Sequence, residues 1–188
     1  MSIKQWNIDD TWTLFLDRDG VINKRIHGNY ITGIDSFEFL AGAKQAIALL
    51  SNYFKLIVVV TNQQGIAKGI MTESNLLEIH TYMCAQIDLA GGKIDECYFA
   101  PNLQGAEDDM RKPNSRMAEL AKTEFPQIDY HKCVMVGDTD TDIQFGRNLG
   151  MKTVRIKTDE GIGYDADVTL DSLISFAKKL RNEIFKKN

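Results

Sequence analysis

Two acidic residues separated by one position follow the first apolar run of the sequence. Asp17 and Asp19 belong to the segment DRDG at 17–20, directly after the run at 12–16. A carboxylate can attack phosphorus and form an aspartyl-phosphate, a recognised form of covalent catalysis. A second carboxylate two residues away could protonate the leaving oxygen and then activate water. This spacing suggests phosphoryl transfer with Asp17 as nucleophile and Asp19 as acid and base.

Three further polar groups lie beside predicted strands or before a predicted helix. They are Thr61-Asn62-Gln63, Arg111-Lys112 and Asp138-Thr139-Asp140-Thr141-Asp142. Thr61 and the amides after it can bind phosphate oxygens, and Lys112 supplies a positive charge that stabilises phosphoryl transfer. Asp17 and Asp138 offer the hard oxygen ligands that Mg²⁺ prefers. Gly20 allows the chain to turn sharply after the first acidic pair.

Each of these groups also has an ordinary structural explanation. A single DxD is often a solvated turn, Thr-Asn is common in turns, and Arg-Lys is common on surfaces. Asp140 is expected to cap the N-terminus of the helix that follows it. All four groups nevertheless stand at element ends that a parallel sheet brings to one edge, and this coincidence favours the catalytic interpretation.

The elements that must position these residues alternate between strand and helix patterns. Strands are predicted at 12–16, 55–60, 94–100, 132–136, 153–156 and near Val168, and helices at 43–50, 73–89, 115–125, 140–149 and 171–185. Short continuous apolar runs such as LIVVV are typical of parallel strands that are covered on both faces. The alternation predicts a doubly wound α/β fold, and the length suits a single domain over 1–188.

Two predicted connections are long, at 23–39 and 101–113. Loops of this length in a compact domain are usually functional. Ligands of open α/β sheets bind at the carboxyl ends of the strands. We therefore expect both loops to cover that end of the sheet, and His27 in the first loop is a candidate for substrate contact.

The composition limits the function classes. The 188 residues carry a net charge of −4, which argues against general binding to nucleic acid or anionic membranes. The three cysteines are far apart without a CxxC, so no disulfide framework or cysteine zinc site is indicated. Neither a signal-peptide pattern nor a membrane-length apolar run occurs. A soluble, cytoplasmic monomer that acts on a small phosphorylated metabolite is expected.

The motif residues resemble a known family. FLDRDGVI at 15–22, VTN at 60–62, RKP at 111–113 and VGDTDTD at 136–142 are similar to the four motifs of the haloacid dehalogenase (HAD) superfamily of phosphatases. IDSFEF at 34–39 and TNQQGIAKG at 61–69 resemble the branch of heptose-1,7-bisphosphate and histidinol-phosphate phosphatases. The second segment is closest to TNQSGIARG of the heptose enzymes, and Gly28-Asn29-Tyr30 stands where those enzymes carry Gly-Tyr.

The resemblance implies a HAD-type Rossmann-like three-layer sandwich with a parallel sheet and a minimal, loop-only cap. It also implies a Mg²⁺-dependent phosphomonoester hydrolase. Asp17 would be nucleophile and metal ligand, Asp19 would be acid and base with its backbone carbonyl on the metal, and Asp138 would be the second carboxylate ligand. Thr61 and Lys112 would hold the transferring phosphate.

The remaining implied roles concern support and substrate. Asp142 would support Lys112 or the metal shell, and Asn62, Gln63 and Arg111 would contact substrate. Lys68 and Arg111 are cationic, which suits a second phosphate on the substrate better than the amine of histidinol. Because of the TNQQGIAKG segment at 61–69, and in agreement with these charges, heptose 1,7-bisphosphate, cleaved at the 7-phosphate, is the preferred substrate. Histidinol phosphate or another small sugar or metabolite phosphate remains the alternative.

One departure from the family concerns zinc. Relatives often bind a structural zinc in the loop before Arg-Lys-Pro through Cys-x-His and Cys-x-Cys. This chain has FAPNL at 99–103 and DDMR at 108–111, so all four ligands are missing. Cys97 alone cannot fill a tetrahedral site. We predict no zinc and expect Pro101 and Pro113 to order the loop.

An alternative from another class is a signalling receiver domain, which accepts phosphate on aspartate as a switch. A receiver has an adjacent acidic pair after its first strand, its phospho-acceptor after the third, and its lysine last. Here the acidic pair is spaced DxD, and Lys112 precedes Asp138. The order of residues therefore favours the phosphatase.

Overall fold

A six-stranded parallel sheet forms the centre of the computed structural model, which describes residues 2–159 and 161–185. The strands are β1 Thr13–Leu16, β2 Leu56–Asn62, β3 Glu96–Ala100, β4 Cys133–Gly137, β5 Lys152–Ile156 and β6 Val168–Leu170. Their order across the sheet is β3-β2-β1-β4-β5-β6, and every adjacent pair is parallel. The carboxyl ends of β1, β2 and β4 therefore lie side by side.

Helices cover both faces of the sheet. They are α1 Ala43–Leu50, α2 Glu73–Asp88, α3 Arg116–Glu124, α4 Asp140–Asn148 and α5 Leu173–Phe185. Short 3₁₀ turns lie at Ile3–Trp6, Ile34–Ser36 and Tyr130–Lys132. One core joins the sheet to α1, α2 and α5, and a second joins it to α3 and α4. The predicted three-layer α/β fold is confirmed.

The central strands β1, β2 and β4 are mostly apolar because alternate side chains enter different cores. In β1, Leu14 and Leu16 pack in the first core, whereas Phe15 packs in the second. Every residue of β1 is buried. These three strands therefore lack the polar face of a sheet that is open to water on one side, as the continuous apolar runs predicted.

The predicted elements agree with the structure apart from their ends. The strand predicted at 94–100 begins at Glu96, and the helix predicted at 171–185 begins at Leu173. Thr72 caps α2 because its hydroxyl accepts a hydrogen bond from the Asn75 backbone, completing a capping box. Among the helices within the described residues, none is both long and apolar enough to cross a membrane.

The loop at 23–39 is anchored to the sheet and to α2. Asn23 forms isolated bridges with Asp19 and with Phe39. Phe37 packs edge-on against Phe39 at 5.0 Å and against Tyr82 of α2 at 6.0 Å, measured between ring centroids. These contacts fix both ends of the loop while its middle reaches the carboxyl edge of the sheet.

The loop at 101–113 is ordered by an acidic side chain. The Asp109 carboxylate accepts hydrogen bonds from the backbone N–H groups of Gly105 at 3.0 Å and Arg111 at 2.9 Å. The Asp109 carbonyl accepts another from the Asn114 side chain. Asp109, which the sequence analysis did not single out, thus holds the segment that delivers Arg111. The absence of zinc stays a prediction.

Candidate active site

A cavity of about 740 Å³ lies at the carboxyl ends of β1 and β2 and beside the start of α4. The predicted site residues that line it are Asp17, Asp19, Thr61, Asn62, Gln63, Lys68, Arg111, Lys112 and Asp142. The other two, Gly20 and Asp138, line an adjoining cavity of about 480 Å³. Segments from three strands, one helix and both long loops thus converge on this edge of the sheet.

A buried lysine joins the first and last of these segments. Lys112 Nζ donates hydrogen bonds to Asp17 Oδ1 and to the Val60 carbonyl, each at 2.7 Å, and pairs with Asp142 Oδ1 at 2.6 Å. Burial alone would lower the pKa of Lys112, but the Asp142 and Asp17 carboxylates raise it above its usual value. The ammonium therefore stays charged beside Asp17.

Asp17 lies on the floor of the cavity immediately after β1. Its backbone N–H donates to the Val136 carbonyl at 2.9 Å, so the β1–β4 pairing continues to this residue. Burial raises the pKa of Asp17 to about 6, although Lys112 opposes the shift. Repulsion from Asp142 and Asp19 adds to the increase.

Asp142 is bound on both sides of its carboxylate. Its Oδ2 accepts hydrogen bonds from the Thr139 backbone N–H at 3.0 Å and hydroxyl at 2.7 Å, while Oδ1 pairs with Lys112. Burial favours its neutral form, but Lys112 and Thr139 outweigh burial and lower its pKa. A Cβ on Gly137 would lie 2.1 Å from the Asp142 Cβ, so glycine allows this close approach.

The residue that caps α4 is Thr139, which forms a capping box with Asp142. The prediction that Asp140 would be the cap is wrong. Asp140 instead pairs with the buried Arg155 and accepts a hydrogen bond from the Gly163 backbone at 2.8 Å. Its carboxylate is drawn toward that charged group and away from the helix N–H groups.

Asp138 packs against the turn that follows Asp17. Burial raises the pKa of Asp138 to about 8, and repulsion from Asp17 and Asp142 contributes. Gly20 has a φ of 95°, and a Cβ there would lie 2.1 Å from Asp138 Oδ2. Glycine is thus required both for the turn and for the approach of the carboxylate.

The acidic residues at this point fit a divalent cation. Carboxylate oxygens of Asp17, Asp138 and Asp142 lie within 4.8 Å of one another and are all buried. Burial, with repulsion among these carboxylates, raises the pKa values of Asp17 and Asp138, and a divalent cation at this point would favour their ionised forms. Hard oxygen donors in this number suit Mg²⁺.

The Asp19 side chain is held by a separate set of donors. Arg18 Nη2 donates to both Asp19 oxygens at 3.0 and 2.9 Å, Asn23 Nδ2 donates at 2.8 Å and Gln63 Nε2 at 2.9 Å. Burial favours the neutral acid, but the Arg18 charge and these hydrogen bonds lower the pKa of Asp19. Asp19 is therefore ionised in this arrangement.

Arg18 and His80 form a buried support behind Asp19. Arg18 is fully buried, and its Nη1 lies 3.4 Å from His80 Nε2. Burial and the Arg18 charge lower the pKa of His80 to about 3, so its imidazole is neutral and can accept a hydrogen bond. His80 is itself buried, so its imidazole packs in the interior rather than lying at the surface.

Comparison with known proteins agrees with this geometry. A family model for HAD-like hydrolases matches residues 109–171. A Campylobacter jejuni protein named D-glycero-alpha-D-manno-heptose-1,7-bisphosphate 7-phosphatase is 38% identical over 152 residues, covering 80% of this chain and 84% of that protein. The chain belongs to the HAD superfamily of phosphatases. A Mycobacterium bovis protein of the same name is 33% identical over 171 residues, covering 88% of this chain and 90% of the relative.

A solved structure also resembles this HAD phosphatase. The crystal structure of a D,D-heptose 1,7-bisphosphate phosphatase from B. bronchiseptica, complexed with magnesium and phosphate, has a TM-score of 0.82 at 26% identity. The match covers 92% of this chain and 99% of that chain. The receiver-domain alternative does not fit these findings, and the resemblance noted in the sequence motifs is confirmed.

Two residues predicted to contact substrate are bonded to catalytic candidates of the HAD phosphatase. Asn62 Oδ1 accepts a hydrogen bond from the Lys112 backbone N–H at 2.8 Å, and its Nδ2 donates to the Lys112 carbonyl at 3.2 Å. Gln63 Nε2 donates to Thr61 Oγ1 at 2.9 Å as well as to Asp19. Asn62 and Gln63 therefore position other residues, although both border the cavity.

The outer wall of the cavity carries cationic and aromatic side chains. Lys68 Nζ donates to the Tyr30 hydroxyl at 3.0 Å, and a Cβ on Gly65 would lie 3.0 Å from the Tyr30 ring. Arg111, Arg25 and the candidate His27 also line the cavity. Tyr30 belongs to the Gly-Asn-Tyr segment that resembles the family, but neither Tyr30 nor Arg25 was among the site residues predicted from the sequence.

Proposed function

We propose that this phosphatase removes the 7-phosphate of D-glycero-D-manno-heptose 1,7-bisphosphate in a Mg²⁺-dependent reaction. The observation that carries the proposal is the buried Asp17 carboxylate, which lies beside Lys112 at the floor of a cavity with further cationic side chains on its wall. The names of the Campylobacter jejuni and Mycobacterium bovis relatives support the choice of substrate.

The first half-reaction uses Asp17. Its carboxylate attacks phosphorus, so that an oxygen–phosphorus bond forms to Asp17 as the bond from phosphorus to the heptose oxygen breaks. Lys112 and Thr61 hold the transferring phosphate at its oxygens. The Asp142 carboxylate keeps the Lys112 ammonium in place from the opposite side.

Asp19 moves the protons. It gives a proton to the leaving heptose oxygen in the first half-reaction and removes one from water in the second. The ionised Asp19 is the form required in the second step. The negative charge of an incoming phosphate raises the pKa of a neighbouring carboxyl group, which favours the protonated form needed first.

Asp17, Asp138 and the Asp19 backbone carbonyl would hold the metal. Bound Mg²⁺ would supply positive charge that offsets the repulsion between these carboxylates and the phosphate. Asp142 serves Lys112 in this proposal, because Lys112 and Thr139 already engage both of its oxygens.

Arg111 and Lys68 give the proposed site its preference for a second phosphate. Both side chains line the same cavity as Asp17. Guanidinium and ammonium groups bind phosphate through charge-assisted hydrogen bonds. The same groups repel the cationic amine of histidinol, so histidinol phosphate is the weaker candidate.

Steady-state kinetics with Mg²⁺ test the substrate. We expect kcat/KM to be higher for either anomer of heptose 1,7-bisphosphate than for histidinol phosphate. Arg111→Met should lower kcat/KM on the bisphosphate by about 10- to 100-fold, the range for one hydrogen bond to a charged group, and affect p-nitrophenyl phosphate less. Arg116→Met, at an exposed position of α3, is the matched control. Higher kcat/KM on histidinol phosphate would contradict the proposed substrate.

A further inference from the structure

Arg25, in the loop at 23–39, contacts the group of oxygens proposed to bind the metal. Its Nη2 lies 2.7 Å from Asp138 Oδ1, 3.0 Å from the Asp19 backbone carbonyl and 3.9 Å from Asp17 Oδ2. One guanidinium nitrogen thus faces an oxygen from each of the three proposed ligands. The two shorter contacts are charge-assisted or ordinary hydrogen bonds of good length.

The guanidinium and a metal ion cannot use these oxygens at the same time. Mg²⁺ requires its oxygen ligands at about 2.1 Å in octahedral geometry. A nitrogen already within hydrogen-bond distance of two of the oxygens fills the space between them. Two positive groups at that separation also repel strongly in a buried site. Binding of one cation therefore requires the other to move.

The position of Arg25 follows from its neighbours in the chain. Asn23 is bridged to Asp19 and Phe39, so the backbone before Arg25 is anchored at the edge of the sheet. Lys24 has a different partner, because its exposed side chain pairs with Glu38 at 2.5 Å. The two adjacent cations thus have different partners, Glu38 for Lys24 and the Asp138 carboxylate for Arg25.

Space for displacement is present beside the oxygens. Arg25 lines the cavity of about 740 Å³ and also the adjoining cavity of about 480 Å³. Its side chain is about a quarter exposed, at 26%, whereas the Asp138 side chain is 1% exposed. The guanidinium can therefore leave toward solvent without a change in the sheet, while the carboxylate stays in place.

We propose that Arg25 is an internal counter-ion of the metal site, which Mg²⁺ must displace in order to bind. The guanidinium holds the Asp138 carboxylate and the Asp19 carbonyl in position and weakens the apparent affinity for the metal. This inference rests on the metal ligands of the proposed function. It assigns to Arg25 a role that neither phosphate binding nor proton transfer requires.

Calorimetric titration of the full chain with MgCl₂ tests the competition without any measurement of turnover. At about pH 8.5, where protons compete least for the carboxylates, Arg25→Gln should bind Mg²⁺ about tenfold more tightly than the parent chain, the equivalent of one charge-assisted hydrogen bond. Lys24→Gln removes the same charge from the next residue and should leave the affinity unchanged. An unchanged or weaker affinity in Arg25→Gln would overturn the proposal.

Thermal unfolding supplies a second readout. Arg25→Gln should gain more in Tm on passing from EDTA to Mg²⁺ than the parent chain gains, because only the variant lacks a counter-ion in EDTA. An equal gain would count against the counter-ion role. If Arg25→Gln does not fold in EDTA, Arg25→Lys replaces it in the assay. We expect Arg25→Lys to bind Mg²⁺ more tightly than the parent chain and Lys24→Gln, and less tightly than Arg25→Gln folded in the presence of Mg²⁺. An affinity equal to that of the parent chain would refute the proposal.

A separate variant distinguishes this inference from the proposed function. Asp138→Asn removes a proposed metal ligand, so it should abolish Mg²⁺ binding in the same calorimetric assay. Parent-like Mg²⁺ binding by Asp138→Asn would show that the ligand assignment is wrong. Loss of binding in Asp138→Asn together with unchanged affinity in Arg25→Gln would refute the role of Arg25 alone.

Discussion

Lys112→Met removes the cation at the centre of the site while keeping a side chain of similar length. Lys112 is 3% exposed and lies within 2.7 Å of oxygens from Asp17, Asp142 and Val60. Its loss leaves two buried carboxylates without their shared partner. Breaking a buried ion pair by removing one member costs about 3–5 kcal/mol. For a chain of this length, that corresponds to a decrease in Tm of about 6–20 °C.

The decrease in Tm caused by Lys112→Met should depend on pH. Burial already raises the pKa of Asp17 to about 6, and loss of Lys112 raises it further. When folding raises the pKa of a carboxyl group, the group does not reduce stability at pH values below its unfolded pKa of about 3.9. Stability is lost as the pH rises from there through the higher pKa of the folded state. The decrease in Tm should therefore be smaller at about pH 5 than at about pH 8. Part of the decrease should persist at both pH values, because the variant loses the stabilisation that Lys112 gives to the ionised Asp142 carboxylate of the parent chain, whose pKa it lowers.

Thermal unfolding in EDTA at both pH values is the assay, with Lys178→Met at an exposed position of α5 as the control. That control should change stability by less than about 0.5 kcal/mol. The double variant Lys112→Met, Asp142→Asn should regain at least about 1 kcal/mol of unfolding free energy relative to Lys112→Met, because the side chain at position 142 is then uncharged. It should not regain turnover. A decrease in Tm that is the same at both pH values, or no larger than in the control, would refute the electrostatic reasoning.

Three further predictions follow from other contacts of the site. Asp19→Asn should lower kcat by about 10²–10⁴-fold, the range for one general acid–base group, and a rate near that of the parent enzyme would remove Asp19 from this role. Gly20→Ala should abolish Mg²⁺ binding measured by calorimetry, because its Cβ would lie 2.1 Å from Asp138 Oδ2, and parent-like binding would contradict that steric argument. His80→Leu should lower the unfolding free energy by about 1–3 kcal/mol in a urea titration, because it leaves a buried Arg18 N–H without an acceptor. Unchanged stability would show that another acceptor replaces His80.

The clustering of Asp17, Thr61, Lys112 and Asp138 could be predicted because a parallel sheet brings its strand ends to one edge. The position of the strand ends does not predict the hydrogen-bond partners of each side chain. Asn62 and Gln63 both border the cavity, yet their amides are directed at Lys112 and Asp19. The orientation depends on rotamers and neighbouring loops, which a sequence pattern does not specify.

The N-cap of α4 could have been predicted correctly from the local sequence. Thr139 and Asp142 are three residues apart directly before and within α4, the spacing of a capping box, which could have identified Thr139 as the cap. The position of Arg25 had no comparable signal. It depends on the bridges of Asn23 with Asp19 and Phe39, which join residues brought together only in the folded chain.

The covalent role of Asp17 is the central claim, and trapping the intermediate tests it most directly. Asp19→Asn enzyme would be mixed with Mg²⁺ and p-nitrophenyl phosphate, whose leaving group needs no proton from Asp19. The mixture would be quenched rapidly in acid and treated with borohydride, which reduces an acyl phosphate to an alcohol. Because the variant hydrolyses the intermediate slowly, peptide mass spectrometry should detect homoserine at position 17 in a large fraction of the chains. Release of phosphate with Asp17 unmodified throughout, or modification of a different carboxylate, would contradict the account.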